Sequence, residues 1–201
     1  MVNLSSFVKY HALNSPERVA ISYEGSYLTY QELSYRIERL AGFLLAKDLE
    51  PNDVVAVLMK NSPAFIEIAF AVSHIGAIFL PINYRLASKE VNYICENAEV
   101  KLLFADEEFN YEDLEAQKIL IDFNMRIDSG LLCLGDGRAE ASPRTPGDLF
   151  RLLYTSGTTS RPKGVVHTYQ NFYWKCSDHS IVLGLNADTR LLVAGPLYHV
   201  G

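Results

Sequence analysis

The chain has 201 residues, 49% of them apolar, enough for the core of one large or two small domains. A net charge of −6 without any basic cluster argues against nucleic acid as the main partner. The first residues lack the pattern of a signal peptide, and no apolar run has the length of a transmembrane segment. The three cysteines form no C-x-x-C motif, which favours reduced thiols. We therefore expect a soluble cytoplasmic chain.

The first predicted elements are a helix, a hairpin and a second helix. Residues 4–13 form a short amphipathic stretch, and residues 19–29 resemble two short strands turned at residues 24–26. Thr29 then has the position of an N-cap, and Glu32, three residues on, completes a capping box. The pattern predicts a helix that begins immediately after the hairpin.

A βαβ unit is predicted next. Residues 54–59 are a continuous apolar run, typical of a strand buried in a parallel sheet. Ser62 and Pro63 predict the start of an almost wholly apolar helix, which Gly76 ends. A strand over residues 77–80 completes the unit and implies a parallel pair of strands.

The same alternation continues downstream. Ser88 is predicted to cap a helix, strands are predicted over residues 100–105 and 119–121, and the acidic run 106–122 is typical of a solvated helix face. The fold class is therefore α/β, with layered, mostly parallel sheet flanked by helices. The predicted divisions are a subdomain over 1–135, a Pro- and Gly-rich connecting loop over 136–148, and an incomplete second subdomain over 149–201.

Residues 152–166, LLYTSGTTSRPKGVV, are the most informative stretch. Two apolar runs flank a polar loop, which predicts strand, loop, strand. The loop hydroxyls belong to Thr155, Ser156, Thr158, Thr159 and Ser160. Together with Gly157 and the ammonium of Lys163 they suit a polyphosphate, although the spacing is not that of a Walker loop. The alternative is an ordinary Gly- and Ser-rich surface hairpin.

The chain continues with a return strand over residues 164–167, a helix capped by Thr168, and a strand over residues 190–194. The segment GPLYHVG follows at residues 195–201. Taken alone, His199 in this segment would be interpreted as a turn residue at a strand end.

Four strings resemble segments of the adenylate-forming superfamily. YTSGTTSRPKG closely resembles its phosphate-loop signature, with Ser160 where glycine is usual. LTYQEL (28–33), HIGAIFLPINYRL (74–86) and PLYHVG (196–201) resemble further segments, the last two as acyl-CoA synthetases have them. The four strings occur in the family's order, so we expect the amino-terminal portion of an acyl-CoA synthetase-like enzyme.

The resemblance implies a two-step reaction for the whole enzyme. ATP with Mg²⁺ activates a carboxylic acid, a fatty acid in the first instance, to an acyl-adenylate, and coenzyme A then accepts the acyl group. Lys163 and His199 are the implied catalytic residues, with Tyr198 and His199 beside the acyl and pantetheine pockets. The implied phosphate-binding residues are Thr155, Ser156, Gly157, Thr158, Thr159, Lys163 and Gly164. The resemblance gives no metal ligand in this portion.

Family members are much longer, and their adenine, ribose and carboxyl-terminal lysine segments have no counterpart here. We therefore expect the chain to be inactive on its own. The alternatives are a non-catalytic nucleotide-binding or interaction module, a peptide-synthetase-type adenylation domain, or a structural α/β domain. Expected partners are a carboxylate, ATP and coenzyme A, and uncovered apolar surface favours self-association.

Overall fold

A computed structural model describes residues 3–112, 114, 116–122, 131, 135, 137–155 and 161–199. The helices in these ranges are α1 (Leu4–Asn14), α2 (Tyr30–Leu45), α3 (Pro63–Ile75), α4 (Ser88–Asn97) and α5 (Tyr169–Val182). The strands are β1 (Val19–Tyr23), β2 (Ser26–Thr29), β3 (Val54–Leu58), β4 (Ile78–Pro81), β5 (Val100–Asp106), β6 (Lys118–Ile121), β7 (Leu149–Thr155) and β8 (Lys163–Thr168). A short 3-10 turn, Glu107–Phe109, follows β5.

The main sheet has six strands in the order β6-β5-β3-β4-β7-β8, and β1 and β2 form a separate antiparallel hairpin. All neighbours in the main sheet are parallel except β7 and β8, which are antiparallel. Strand β3 lies near the centre and is buried along its whole length, as its continuous apolar sequence requires. The predicted α/β class with a mostly parallel sheet is confirmed.

The core lies on both faces of this sheet because side chains alternate along each strand. Val55 and Val57 of β3 face a cluster that includes side chains of α1, α2 and α3. Ala56 and Leu58 face a second cluster, to which α4 contributes. Helices therefore cover both faces of the sheet, and a ligand site is expected at the edge where the strands end.

Helix caps explain where two of the helices begin. The hydroxyl of Thr29 accepts a hydrogen bond from the backbone N–H of Glu32, whose carboxylate accepts one from the N–H of Thr29 at 2.8 Å. Ser62 caps α3, and Gly76 ends it in the left-handed region with a φ of 78°. The capping box and both ends of α3 are as predicted.

The prediction of Ser88 as a cap is wrong. Helix α4 already includes Ser88, and Ala87 holds the N-cap position. The Glu90 carboxylate accepts the backbone N–H of Ala87 at 2.9 Å, so half of a capping box remains without a side-chain cap.

Two other predicted segments also differ. Residues 190–194 form no strand, and Leu191, Leu192 and Val193 are exposed; a strand needs a neighbour, and none of the described strands pairs with this segment. Among the described residues of the acidic run 106–122, the helical structure is the 3-10 turn Glu107–Phe109 rather than an α-helix, and β6 begins at Lys118. The first residue of the run, Asp106, is buried at the end of β5.

The predicted connecting loop has no regular secondary structure over residues 137–145. Its Arg144 is buried, and Nη2 donates to Asn52 Oδ1 at 2.7 Å. Beyond the loop, β7 joins the same sheet as β3 to β6 through the pairing of Phe79 with Arg151. The division into two subdomains stays a prediction.

Candidate functional site

The carboxyl ends of β3, β4, β5 and β7 lie at one edge of the sheet, because these strands are parallel. Lys60 and Asn61 follow β3, Asn83 and Tyr84 follow β4, and Asp106 ends β5. The connection from β7 to β8 leaves the sheet at the same edge. Open parallel sheets place ligand sites at this edge, so the predicted phosphate loop lies where a site is expected.

The strands that flank the phosphate loop form a hairpin. Thr155 pairs with Lys163 at the end next to the loop, and Tyr154 pairs with Gly164. Directly opposite residues project from the same face, so the exposed side chains of Thr155 and Lys163 lie side by side. This confirms the two predicted strands. Ser156, Gly157, Thr158, Thr159 and Ser160 lie outside the described residues.

Gly164 is a strand residue whose small size admits the ring of Tyr154. A Cβ atom on Gly164 would lie 3.2 Å from Tyr154 Cζ. The Tyr154 hydroxyl donates to Asn97 Oδ1 of α4 at 2.6 Å, and burial raises the pKa of Tyr154. The glycine therefore has a packing reason at the base of the loop, beside its predicted role in phosphate binding.

Helix α4 contacts the chain both before the loop, at Tyr154, and after it, at Arg161. The guanidinium of Arg161 lies 5.4 Å from the centre of the Tyr93 ring, a cation–π geometry. Tyr93 and Asn97 are four residues apart and therefore share one face of the helix. Sequence analysis did not identify these contacts. An aromatic and an amide four residues apart on a predicted helix do indicate a shared face that could contact a neighbouring segment.

The segment that carries Tyr198 and His199 packs at the same edge. Tyr198 is 6% exposed, and its ring meets that of Tyr84 edge-on at 5.2 Å between centroids. Tyr84 in turn stacks on Phe109, beyond β5, at 5.3 Å. His199 is exposed, and its backbone N–H donates to Pro196 O at 3.1 Å. The structure thus places Tyr198 as a packing anchor and His199 at the surface.

Three residues missed by sequence analysis fix this edge. Asp106 Oδ2 accepts the backbone N–H of Lys60 at 2.9 Å, which joins the ends of β3 and β5. The Lys60 ammonium lies 2.7 Å from Glu108 Oε2. Asn61 bonds the backbone at Gly195 and Leu197. Such tertiary contacts have no local sequence signal.

Two cysteines fall within the described residues. Cys95 is buried, and burial raises the pKa of its thiol to about 11. Cys176 is exposed, and partial burial of its thiol also raises its pKa. Both thiols are free, and the raised pKa values disfavour the nucleophilic thiolate. Cys133 lies outside the described residues.

The described part of the chain contains no group of three or more His, Cys, Asp or Glu side chains that could hold a metal ion. None of its helices is both long and apolar enough to cross a membrane.

The family model for the AMP-binding enzymes matches residues 8–201. The chain therefore belongs to the AMP-binding enzyme family. This confirms the resemblance to adenylate-forming enzymes that the four sequence strings indicated.

Its curated relatives are coenzyme A ligases. The chain is 36% identical over 198 residues to a feruloyl-CoA synthase of Amycolatopsis sp, covering 98% of this chain and 39% of the relative. It is 34% identical over 195 residues to a 2-succinylbenzoate–CoA ligase of Listeria monocytogenes, covering 92% of this chain and 38% of the relative. The chain thus spans about two fifths of the length of these relatives.

Solved structures agree with the fold. The o-succinylbenzoate CoA synthetase of Bacillus subtilis, in complex with its acyl-adenylate intermediate, matches with a TM-score of 0.86 and 27% identity. This match covers 99% of the present chain and 40% of that one. The same enzyme in complex with ATP and a magnesium ion matches with a TM-score of 0.82 and 26% identity, covering 96% of this chain and 51% of that one.

Proposed function

We propose that this chain supplies the amino-terminal part of an ATP-dependent acid–CoA ligase. In the first step a carboxylate attacks the α-phosphorus of ATP, giving an acyl-adenylate and pyrophosphate. In the second step the thiol of coenzyme A displaces AMP. The observation that carries the proposal is the β7–β8 hairpin, which presents Thr155 and Lys163 together at the carboxyl edge of the sheet in a chain of this family.

The residues at this edge fit the phosphates of ATP. Lys163 provides an exposed ammonium and Thr155 an exposed hydroxyl at the mouth of the loop. With Ser156, Gly157, Thr158, Thr159 and Gly164, they would bind the β- and γ-phosphates and stabilise the departing pyrophosphate. The attacking carboxylate is already ionised, so this part of the reaction needs positioning and charge neutralisation rather than a base. Mg²⁺ would enter with the ATP phosphates.

Tyr198 and His199 are assigned to the acyl side of the site. Tyr198 is held by Tyr84, while His199 is exposed beside it, which suits a side chain that contacts substrate or the pantetheine arm. The acyl substrate is a carboxylic acid. A fatty acid was the first expectation, and the names of the relatives add ferulate and 2-succinylbenzoate as candidates.

The test is carboxylate-dependent exchange of labelled pyrophosphate into ATP, measured with the longer protein that contains this chain. The acid panel should include fatty acids, ferulate and 2-succinylbenzoate. Lys163→Ala should lower the exchange rate roughly 100-fold, the usual loss for removal of one transition-state contact.

The matched control is Lys101→Ala, which removes an exposed lysine at the amino end of β5, the opposite edge of the sheet. This variant should exchange at the wild-type rate. Absence of exchange with every acid, in a folded protein that still binds ATP, would overturn the ligase and favour a non-catalytic nucleotide-binding module.

A further inference from the structure

We propose that Asn61 is a positioning residue, which holds the segment carrying Tyr198 and His199 against the end of β3. Its Nδ2 donates to Gly195 O at 2.8 Å, and its Oδ1 accepts the backbone N–H of Leu197 at 2.8 Å. One side chain thus bonds two backbone groups of a segment more than 130 residues away. The amide supplies a donor and an acceptor on two separate atoms without carrying a charge.

The backbone around Asn61 is itself fixed. The N–H of Lys60 is bonded to the carboxylate of buried Asp106. On the other side, the hydroxyl of Ser62 caps α3 through the N–H of Phe65 at 3.3 Å. Asn61 therefore projects from a rigid connection between β3 and α3, and its amide can define the position of a less constrained segment.

The segment before Gly195 needs such an anchor. Residues 190–194 lie in no strand, and Leu191 and Leu192 are exposed. Contacts that then hold residues 195–199 include the two bonds from Asn61, the turn closed by His199, and the packing of Leu197 and Tyr198 in the core cluster, where Tyr198 meets Tyr84. Removal of the amide should leave Tyr198 packed but free the backbone that leads to it.

The consequence for chemistry rests on the proposed ligase function. If Tyr198 and His199 face the acyl substrate, Asn61 sets where they stand without contacting it. A loosened segment should then impair binding of the carboxylate more than binding of ATP, whose phosphates meet Lys163.

The first experiment uses the 201-residue chain and is independent of any activity. Amide hydrogen exchange is followed by NMR at Leu197 in the wild type, Asn61→Ala and Asn61→Asp. Both variants should exchange at Leu197 roughly fivefold faster or more, the effect of one lost or weakened hydrogen bond. The effect of Asn61→Asp should be the smaller of the two because Asp keeps an acceptor for the Leu197 N–H. It should not vanish, because a carboxylate oxygen then faces Gly195 O.

The matched control is Asn186→Ala. Asn186 Oδ1 accepts the N–H of Asp188 at 2.8 Å, so this variant loses a local turn bond in the preceding connection but no bond to residues 195–199. Exchange at Leu197 should stay at the wild-type rate. Unchanged exchange in Asn61→Ala, with unaltered protection in β3, would overturn the proposal.

A wild-type measurement keeps the proposal testable even if both variants fail to fold. A nuclear Overhauser effect between the Asn61 side-chain amide protons and the Gly195 α-protons is expected, and its absence in the folded chain would overturn the contact.

The second experiment measures kinetics in the longer protein. Asn61→Ala should raise KM for the carboxylate roughly tenfold while KM for ATP stays within about twofold, as expected for loss of one to two hydrogen bonds. Equal effects on both constants, or none, would overturn the positioning role. Lack of pyrophosphate exchange with every acid would instead contradict the proposed function, and the hydrogen-exchange result at Leu197 would still stand.

Discussion

At the residue scale, Arg36 of α2 and Glu67 of α3 form an ion pair inside the core. Arg36 Nε donates to Glu67 Oε2 at 2.9 Å, and Nη2 lies 2.8 Å from Oε1. Glu67 is fully buried and Arg36 nearly so. Burial raises the pKa of Glu67 to about 6, against the opposing effect of the Arg36 charge. The pair therefore links two helices at a high cost in desolvation.

Removal of one partner should be far more damaging than removal of both. Arg36→Met leaves Glu67 without its counter-charge and should lower the free energy of unfolding by about 3–5 kcal/mol. Arg36→Met with Glu67→Leu should recover most of that loss, because no buried charge is left. Urea denaturation of the single and double variants measures this. A double variant as unstable as Arg36→Met would contradict the expectation.

The same carboxyl group predicts a pH dependence. Its folded pKa of about 6 lies above its ordinary 4.5, so the folded state binds the proton more tightly. The resulting stabilisation is full below pH 4.5 and is lost as the pH rises through 6. The unfolding free energy of Glu67→Gln, relative to that of the wild type, should therefore rise by about 2 kcal/mol between pH 4.5 and 7. All other ionisable groups are common to both proteins, so the difference in unfolding free energy isolates Glu67; a difference that does not change with pH would contradict the assignment.

Lys163 gives the third residue-scale prediction. Titration of the 201-residue chain with Mg·ATP in a calorimeter should show binding that Lys163→Ala weakens roughly tenfold or more, because charge-assisted contacts to phosphate are lost. Lys101→Ala should bind like wild type. A well-folded chain that binds no ATP would mean that the loop is not autonomous and needs residues outside this chain.

At the element scale, local sequence signals set most boundaries. The β1–β2 hairpin, α2 with its capping box, and α5 capped by Thr168 are confirmed, because each depends on neighbours within a few residues. The cap of α4 and the strand at residues 190–194 were wrong. The first error arose because Ala87, which has no capping side chain, holds the N-cap position, and the second because the apolar run has no partner among the described strands. Contacts such as Asn61 with Leu197 could not be predicted, since they depend on the packing of distant elements.

The capping box of α2 can be tested directly. Thr29→Ala removes the hydroxyl that accepts the Glu32 N–H and should cost about 1 kcal/mol of unfolding free energy. Thr29→Ser keeps the hydroxyl and should cost only a small part of that. Equal losses for both variants in urea denaturation would mean that packing of the Thr29 methyl group, rather than the hydrogen bond, is responsible.

At the scale of the whole molecule, the last described elements of the chain expose apolar side chains. They lie on the edge strand β8, on α5 and in the following segment: Val165, Val166, Trp174, Ile181, Leu191 and Leu192. β8 pairs with β7 alone, so its other edge is open among the described strands. Open edges with apolar flanks promote association. Self-association of the 201-residue chain stays a prediction.

Light scattering over a range of concentrations would measure it. The apparent mass should rise with concentration, and Leu192→Asp should shift the rise to higher concentration by placing a charge on this surface. Leu13→Asp is the matched control, since Leu13 on α1 is also exposed, at 76% against 89% for Leu192. A constant monomer mass would contradict the expectation, as would equal effects of the two substitutions.

The strand order has a consequence for how the protein folds during its synthesis. Synthesis yields β3 first; β4 and β5 then add to its two sides, β6 adds to β5, β7 to β4, and β8 to β7. Each newly synthesised strand can therefore pair with a strand that is already at the edge of the sheet, and no earlier strand pair has to separate. We expect the sheet to assemble outward as the chain leaves the ribosome. Stalled nascent chains that expose residues 1–122 should already protect β3 from protease, and cleavage of β3 until β8 emerges would contradict this order.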